Sequence, residues 1–192
     1  MYDVAIIGGG PAGASAATFT ARAGLRTVLL DADQSVTRRA LIHNHLGLPD
    51  GVEGPNLVEL GKRQATGAGA ELLTTKVTEL QPNGDGFRVR GEDGRDVQAR
   101  HVIFCLGVNP ELARSAGARI VPGSEPRIKE GVAVDAQGRT DVPGLWAAGT
   151  CAGTSVHTII TAGDGARVAI NVISALKGAR HVDHEVMPTP GH

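Results

Sequence analysis

Three glycines at G-x-G-x-x-G spacing, Gly8, Gly10 and Gly13, constrain this chain more than any other feature. They stand between an apolar run, Val4 to Ile7, and a small-residue stretch that ends at Gly24. A second apolar run, Thr27 to Leu30, then leads to Asp31, which lies 18 residues after the third glycine. Four consecutive apolar residues suit a strand buried on both faces. A glycine fingerprint placed between such a strand and a helix, with an acid after the next strand, predicts a βαβ unit that binds a dinucleotide.

Each position has its own physical task. Gly8 turns the chain sharply out of the strand, Gly10 lets the backbone approach a pyrophosphate, and Gly13 lets the helix lie close to the sheet. Pro11 suits a first helical turn, where its missing N–H has no intrahelical partner to lose. The N–H groups and partial positive charge of the helix N-terminus attract phosphate. Ala16, Ala17 and Ala23 keep the helix thin. Asp31 is placed to accept from ribose hydroxyls. It would repel a 2′-phosphate, so an unphosphorylated adenosine is favoured over NADP, although the same pattern taken alone serves NAD.

The chain has 192 residues, a length that predicts one domain, 1–192, with an adequate core. Its formal net charge is −1 and no basic stripe stands out, so nucleic acid is not an expected partner. The 27 glycines punctuate apolar segments, which makes the chain turn-rich rather than low in complexity. With only three Phe, one Trp and one Tyr, the core must be built from Val, Leu, Ile and Ala. Cys105 and Cys151 form no C-x-x-C, which argues against a thioredoxin-type redox motif or a zinc ribbon and for a reduced, cytoplasmic protein. The N-terminal apolar segment lacks the positive flank of a signal peptide, and no apolar run is expected to span a bilayer.

From Ala32 to Gly54 the pattern is irregular, with Arg38–Arg39, His43–Asn44–His45 and turn signals at Leu48–Gly51. A long loop in a compact domain commonly covers a ligand. Pro55 opens a helix to about Gly67 with a stripe of Leu57, Leu60, Gly61, Ala65 and Ala68. A short strand at Glu71–Thr75 precedes three β-like runs, Lys76–Gln81, Phe87–Arg90 and Asp96–Phe104. The turns Asn83–Gly86 and Glu92–Gly94 between them predict an antiparallel meander over about 76–104. Asn109 to Gly131 is weakly patterned, with a short helix from Pro110 through Ala113, and brief strands are expected at Val132–Val134 and Leu145–Ala148. The last helix is expected over about 158–177, stopped by Gly178. Gly163 and Gly165 inside it each cost about 1 kcal/mol relative to Ala, which suggests close packing against a backbone or a cofactor. The tail, 179–192, reads as a loose polar terminus; its His181, His184 and His192 have no metal-binding spacing.

GGGPAG with Asp31, the meander, the strand ending Cys105–Leu106–Gly107, and VPGLWAAGT before a long helix together resemble the FAD domain of the thioredoxin-reductase-like flavoproteins, the pyridine nucleotide-disulfide oxidoreductases. The resemblance covers nearly the whole chain in the family's order. It implies an α/β fold: a Rossmann-like domain with a parallel central sheet, helices on both faces and the three-stranded meander. It implies FAD as cofactor. By the same resemblance Gly8, Gly10, Pro11, Ala12 and Gly13 hold the pyrophosphate, Asp31 the adenosine ribose, and Val77 flanks the adenine. Leu106 and Gly107 stand at the family's A-T-G turn. Asn44 resembles an asparagine near the flavin. Gly149 and Thr150 stand at the family's Gly-Asp, with a hydroxyl in place of the carboxylate. Thr158 and Ile159, after His157, open the helix whose N-terminus faces the flavin.

Two parts of the family pattern are missing. No second fingerprint follows Gly107, where the family inserts an NADPH domain, and there is no C-x-x-C. The expected function is therefore an FAD-dependent oxidoreductase-like protein whose electrons come from a redox partner protein or a diffusible reductant. The alternative is a non-catalytic module that binds or senses FAD or an adenine nucleotide. No catalytic residue is assigned; Cys151 and His157 are the candidates, and Cys105 with Cys151 is a conceivable redox pair because the family places their strands side by side. No membrane is expected as a partner, and a flavin face left uncovered by the missing domain is a surface for a homodimer or another protein.

Overall fold

The computed structural model describes residues 1–187; His192 and the rest of 188–192 lie outside the described residues. Strands β1 (Tyr2–Ile7), β2 (Thr27–Asp31) and β5 (Glu71–Thr74) pair in parallel in the order β5-β2-β1, and β8 (Asp96–Phe104) continues the sheet beyond β1. Val4 stands opposite Thr27, and Ile7 opposite both Leu30 and Phe104. β11 (Leu145–Ala147) pairs in parallel with the C-terminal half of β8, from Val102 to Phe104. The N-terminal half of β8 pairs antiparallel with β7 (Gly86–Gly91), which pairs antiparallel with β6 (Val77–Asn83). Changing partners along its length, β8 joins the parallel sheet to the antiparallel strands.

The two faces of the sheet follow the period of two along each strand. Val4, Ile6, Leu29, Ile103 and Trp146 point to one side and pack on α1 (Pro11–Arg22), α2 (Gly54–Gly67) and α4 (Thr158–Lys177). Ala5, Ile7, Val28, Leu30, Val102 and Phe104 point to the other, where Leu80, Phe87 and Val89 of the antiparallel strands and Ala113 of α3 (Glu111–Ser115) cover them. α1 buries Ala12, Ala16, Ala17 and Ala21, so three layers meet with little side-chain bulk between them.

Several elements depart from their sequence patterns. The irregular stretch after β2 holds a 3₁₀ turn, Val36–Arg39, and a two-residue ladder of β3 (Leu41–Ile42) with β4 (Val52–Glu53). The strand expected at Val132–Val134 is Glu130–Val132 (β10), two residues earlier, because it forms a hairpin with β9 (Ile120–Pro122) in the weakly patterned region. α2 buries Gly54, Val58, Lys62 and Ala65; of the expected stripe, Ala65 is buried and Gly61 lies against the Cβ of Ala14 in α1, while Leu60 is exposed. α4 has 20 residues with a mean hydropathy of 1.3 in its most apolar window, enough by length and composition to cross a bilayer, contrary to expectation. It is instead the helix that covers α1, with a carboxylate, Asp164, on its inner face. Beyond it, residues 181–187 take no regular form, and Asp183 and Glu185 pair with Arg22 of α1.

Candidate functional site

The C-terminal ends of β1, β2 and β8 open onto a cavity of about 680 Å³. Ligands bind at this edge of open α/β sheets. The lining runs from Asp31, Val77 and Thr78 at one end, past Gly8, Gly9, Gly10, Pro11 and Ala12, to Leu106, Gly107, Ala148, Thr150 and Val156 at the other.

The glycine turn is built by backbone crowding. Gly8 has φ +107, and a Cβ there would collide with the carbonyl of Cys105 at the end of β8. A Cβ on Gly9 would lie 2.5 Å from the carboxyl carbon of Asp31, and one on Gly10 would lie 2.9 Å from Ser35 Oγ. Gly10 caps α1 with Pro11 in its first turn. Gly13 faces away from the cavity, where a Cβ would collide with the Gly8 carbonyl; its task is to bring the helix onto the sheet.

Asp31 is 4% exposed. Its Oδ1 accepts from the Gly9 N–H at 2.9 Å, and its Oδ2 lies 2.6 Å from Lys62 Nζ on α2. Lys62 also donates to Asp33 Oδ1 at 2.7 Å, and Arg38 bonds both Asp33 and Glu59. Burial works against the Lys62 ammonium, but Asp31 and Asp33 outweigh it and hold its pKa above the ordinary value. The bond from Lys62 depresses the pKa of Asp33. The acid at the ribose position is thus not the free anion that the sequence suggests, yet three carboxylates against two cations still leave one negative charge to oppose a 2′-phosphate.

At the other end, Gly149 has φ +77 and donates its N–H to Asp164 Oδ2 at 2.7 Å. The same oxygen accepts from Thr154 Oγ1 at 2.8 Å, and Oδ1 accepts from Arg167. Thr150 also lines a second cavity, of about 380 Å³, between that turn and the β9–β10 hairpin.

The structure gathers Gly8, Gly10, Pro11, Ala12, Asp31, Val77, Leu106, Gly107 and Thr150 around one cavity. The remaining sequence candidates stand apart from it. Asn44 is exposed at the tip of the loop that the β3–β4 ladder closes, and does not line the cavity; its neighbour His45 reaches α4 instead, with Nδ1 3.0 Å from Thr158 Oγ1. Gly149 lies just behind the wall, and Thr158 is buried against that histidine. Ile159 is partly exposed on the outside of α4, and Thr161, one turn into the helix, reaches the cavity instead.

The candidate catalytic residues are not poised for catalysis. His157 is exposed and pairs with Ser155 Oγ. Cys151 is 1% exposed, its thiol faces the carbonyls of Phe104 and Ala148, and burial pushes its pKa up to about 11. Burial also raises Cys105 well above the ordinary thiol range, and both cysteines are free. No cluster of metal-ligating side chains occurs among the described residues.

Two residues of the site carry sequence signals that are easily missed. Lys62 lies on the buried face of α2 between Val58 and Ala65, and Asp164 lies between Thr161 and Val168 on that of α4. A charge at a core position of an amphipathic helix is costly unless it is paired, so each marks a partner elsewhere in the chain.

A parallel sheet, a glycine-fingerprint turn under an open cavity and a buried acid at the end of β2 define a dinucleotide-binding α/β protein. Residues 62–166 match the family described as pyridine nucleotide-disulphide oxidoreductase, and residues 1–46 match the FAD binding domain. The chain belongs to the pyridine nucleotide-disulphide oxidoreductase family, as a thioredoxin-reductase-like FAD domain. Over 110 residues it is 38% identical to thioredoxin reductase of Aquifex aeolicus, covering 56% of this chain and 34% of that protein. Over 126 residues it is 32% identical to the thioredoxin reductase of Peptoclostridium acidaminophilum, covering 64% and 40%. The chain therefore spans between a third and two fifths of these relatives. In fold it resembles a thioredoxin reductase from Gloeobacter violaceus, with a TM-score of 0.77 at 20% identity over 96% of this chain and 98% of that one. It also resembles a ferredoxin-flavin thioredoxin reductase from Clostridium acetobutylicum, with a TM-score of 0.73 at 20% identity over 92% and 98%.

The cavity fits FAD, the cofactor to which these matches point. Gly8, Gly9 and Gly10 line the cavity with bare backbone, and the buried carboxylate of Asp31 lines it as well.

Proposed function

We propose that this chain is an FAD-binding oxidoreductase module whose electron donor comes from outside the chain. The observation that carries the reading is the single cavity running from Asp31 over the glycine turn to Thr150, in a chain that joins Gly107 to β11 through α3 and one hairpin. FAD, when bound, supplies reversible electron and hydride transfer. The chain's own residues bind and orient it: Gly8, Gly10, Pro11 and Ala12 present backbone to the pyrophosphate, Asp31 accepts from the adenosine ribose, and Val77 packs beside the adenine. Leu106, Gly107 and Thr150 form the wall along the ribityl chain. The thiol chemistry of a disulfide reductase has little support here, because both cysteines are buried and protonated.

A donor from outside is supported by the connection after Gly107, which carries no second glycine fingerprint. The donor is a redox protein or a diffusible reductant; one fold neighbour is named a ferredoxin-flavin thioredoxin reductase. A reduced cytoplasmic setting suits two free cysteines. The test is to incubate purified chain with FAD, record its spectrum, and offer NADH, NADPH and reduced ferredoxin in the absence of oxygen. The reading expects a stoichiometric flavin spectrum that at least one of them bleaches. A chain that takes up no FAD overturns it, and bound FAD that only dithionite bleaches assigns a binding or sensing role instead.

A further inference from the structure

The residue that most needs a purpose is Lys62. Its side chain is 9% exposed, on the face of α2 that otherwise buries Gly54, Val58 and Ala65. An ammonium taken out of water there is unfavourable unless its partners hold it. We propose that Lys62 is the positioning residue for the adenosine end of the cavity: it fixes the carboxylate of Asp31 and ties the Asp33–Arg39 segment beside it. The inference rests on the FAD reading and identifies what makes the site prefer an intact ribose.

A carboxylate has about four lone-pair directions. In Asp31 the Gly9 N–H donates to Oδ1 at 2.9 Å, and Lys62 Nζ forms an ion pair with the buried Oδ2 at 2.6 Å. Held at both oxygens, the group cannot rotate freely; Oδ2 is shut in beside Lys62, and Oδ1 keeps one acceptor direction. That direction suits a hydroxyl of the adenosine ribose. The second bond of Lys62, to Asp33 at 2.7 Å, anchors a residue in the left-handed region (φ +58) at the head of the segment whose Ser35, Val36 and Thr37 line the cavity. Arg38 closes the clamp by pairing with Asp33 and with Glu59 on α2. Lys62 touches no ligand position itself and acts through Asp31.

The test is calorimetric titration of the full chain with ADP and with 2′,3′-dideoxy-ADP, for the wild type, Lys62→Met, Lys62→Gln and Lys62→Arg. The wild type is expected to prefer ADP by roughly ten- to a hundredfold, as loss of a hydrogen bond to a charged acceptor implies. Lys62→Met is expected to bring that ratio close to one, and Lys62→Arg, which keeps the charge and can bridge two carboxylates, to retain most of it. A lysine with only a structural role would weaken both nucleotides alike; an unchanged ratio in Lys62→Met therefore overturns the proposal. If Lys62→Met does not fold, Lys62→Gln carries the comparison, since it keeps a donor but loses the charge. A wild-type chain that binds neither ADP nor FAD overturns the FAD reading and this inference with it. FAD binding with an unaltered ratio removes the role of Lys62 alone.

Discussion

Gly163 and Gly165 lie two residues apart in α4, and replacing each with alanine should have opposite effects. Either change removes a helix-interior glycine, which by itself stabilises by about 1 kcal/mol. At Gly163 nothing lies within 4 Å of a new Cβ, so that gain stands. At Gly165 the new Cβ would sit 2.7 Å from the carbonyl carbon and 2.8 Å from the Cα of Ala12, with the carbonyl oxygen nearer still. Carbon atoms in ordinary contact stand roughly 3.5–4.0 Å apart, so α4 and α1 would have to part by about 1 Å. The colliding atoms are backbone and cannot turn aside, which places the cost near the upper end of overpacking, about 3 kcal/mol, and the net near 2 kcal/mol of destabilisation. For a chain of this size that is a fall in Tm of roughly 4–8 °C, against a rise of roughly 2–4 °C for Gly163→Ala. Thermal unfolding followed by circular dichroism measures both. Ala12 lies in the first turn of α1 and lines the cavity, so Gly165→Ala should also weaken FAD binding while Gly163→Ala leaves it intact. Two variants that shift Tm in the same direction would refute this account of the α1–α4 contact.

Other outcomes follow from the buried polar groups. Trp146 Nε1 donates to His101 Nδ1 at 3.1 Å, which requires a neutral imidazole, and burial together with Arg100 lowers the His101 pKa. A depressed pKa means that this stability is present above the unfolded value near 6.5 and is lost as pH falls through the folded value; the emission of Trp146, the chain's one tryptophan, should therefore titrate with a midpoint below 6.5, and His101→Gln should abolish the transition. Asp164→Ala strands the Gly149 N–H and the Thr154 hydroxyl and should destabilise by about 3 kcal/mol in urea, with Asp164→Asn recovering part of it. Cys105 and Cys151 should resist a disulfide reagent at pH 8 in the native chain and both react after unfolding, since burial keeps the two thiols protonated.

What the sequence shows of this molecule is what is local in the chain. The fingerprint between Val4–Ile7 and Thr27–Leu30 is a contiguous strand–turn–helix–strand, and its register, Ile7 beside Leu30, follows from the run lengths. The Gly165 contact was legible as an unexplained mid-helix glycine, whereas Gly163, its equal in sequence, meets nothing. The β9–β10 hairpin was not legible, because its three-residue strands are too short to show a period of two. α2 was legible in part: Gly61 and Ala65 of its stripe face inward, whereas the buried place of Lys62 depends on Asp31 and Asp33, far away in the chain.

The site divides along the same line. Gly8, Gly10 and Asp31 are recognisable because their task is set by the chain immediately around them. Lys62 and Asp164 depend on partners 31 and 15 residues away and show up in sequence only as charges in the wrong place. These two long-range pairs serve opposite ends of one cavity: Lys62 holds the acid at the end of β2, and Asp164 holds the Gly149 turn after β11. Between them Ala12 is met from two sides, by Gly165 of α4 and by Gly149, whose Cβ would lie 2.8 Å from that of Ala12. The phosphate-binding turn is therefore not a self-sufficient motif at the N-terminus. Its first helical turn is seated by residues from the last third of the chain, so the shape of the cavity depends on α4 being packed in place.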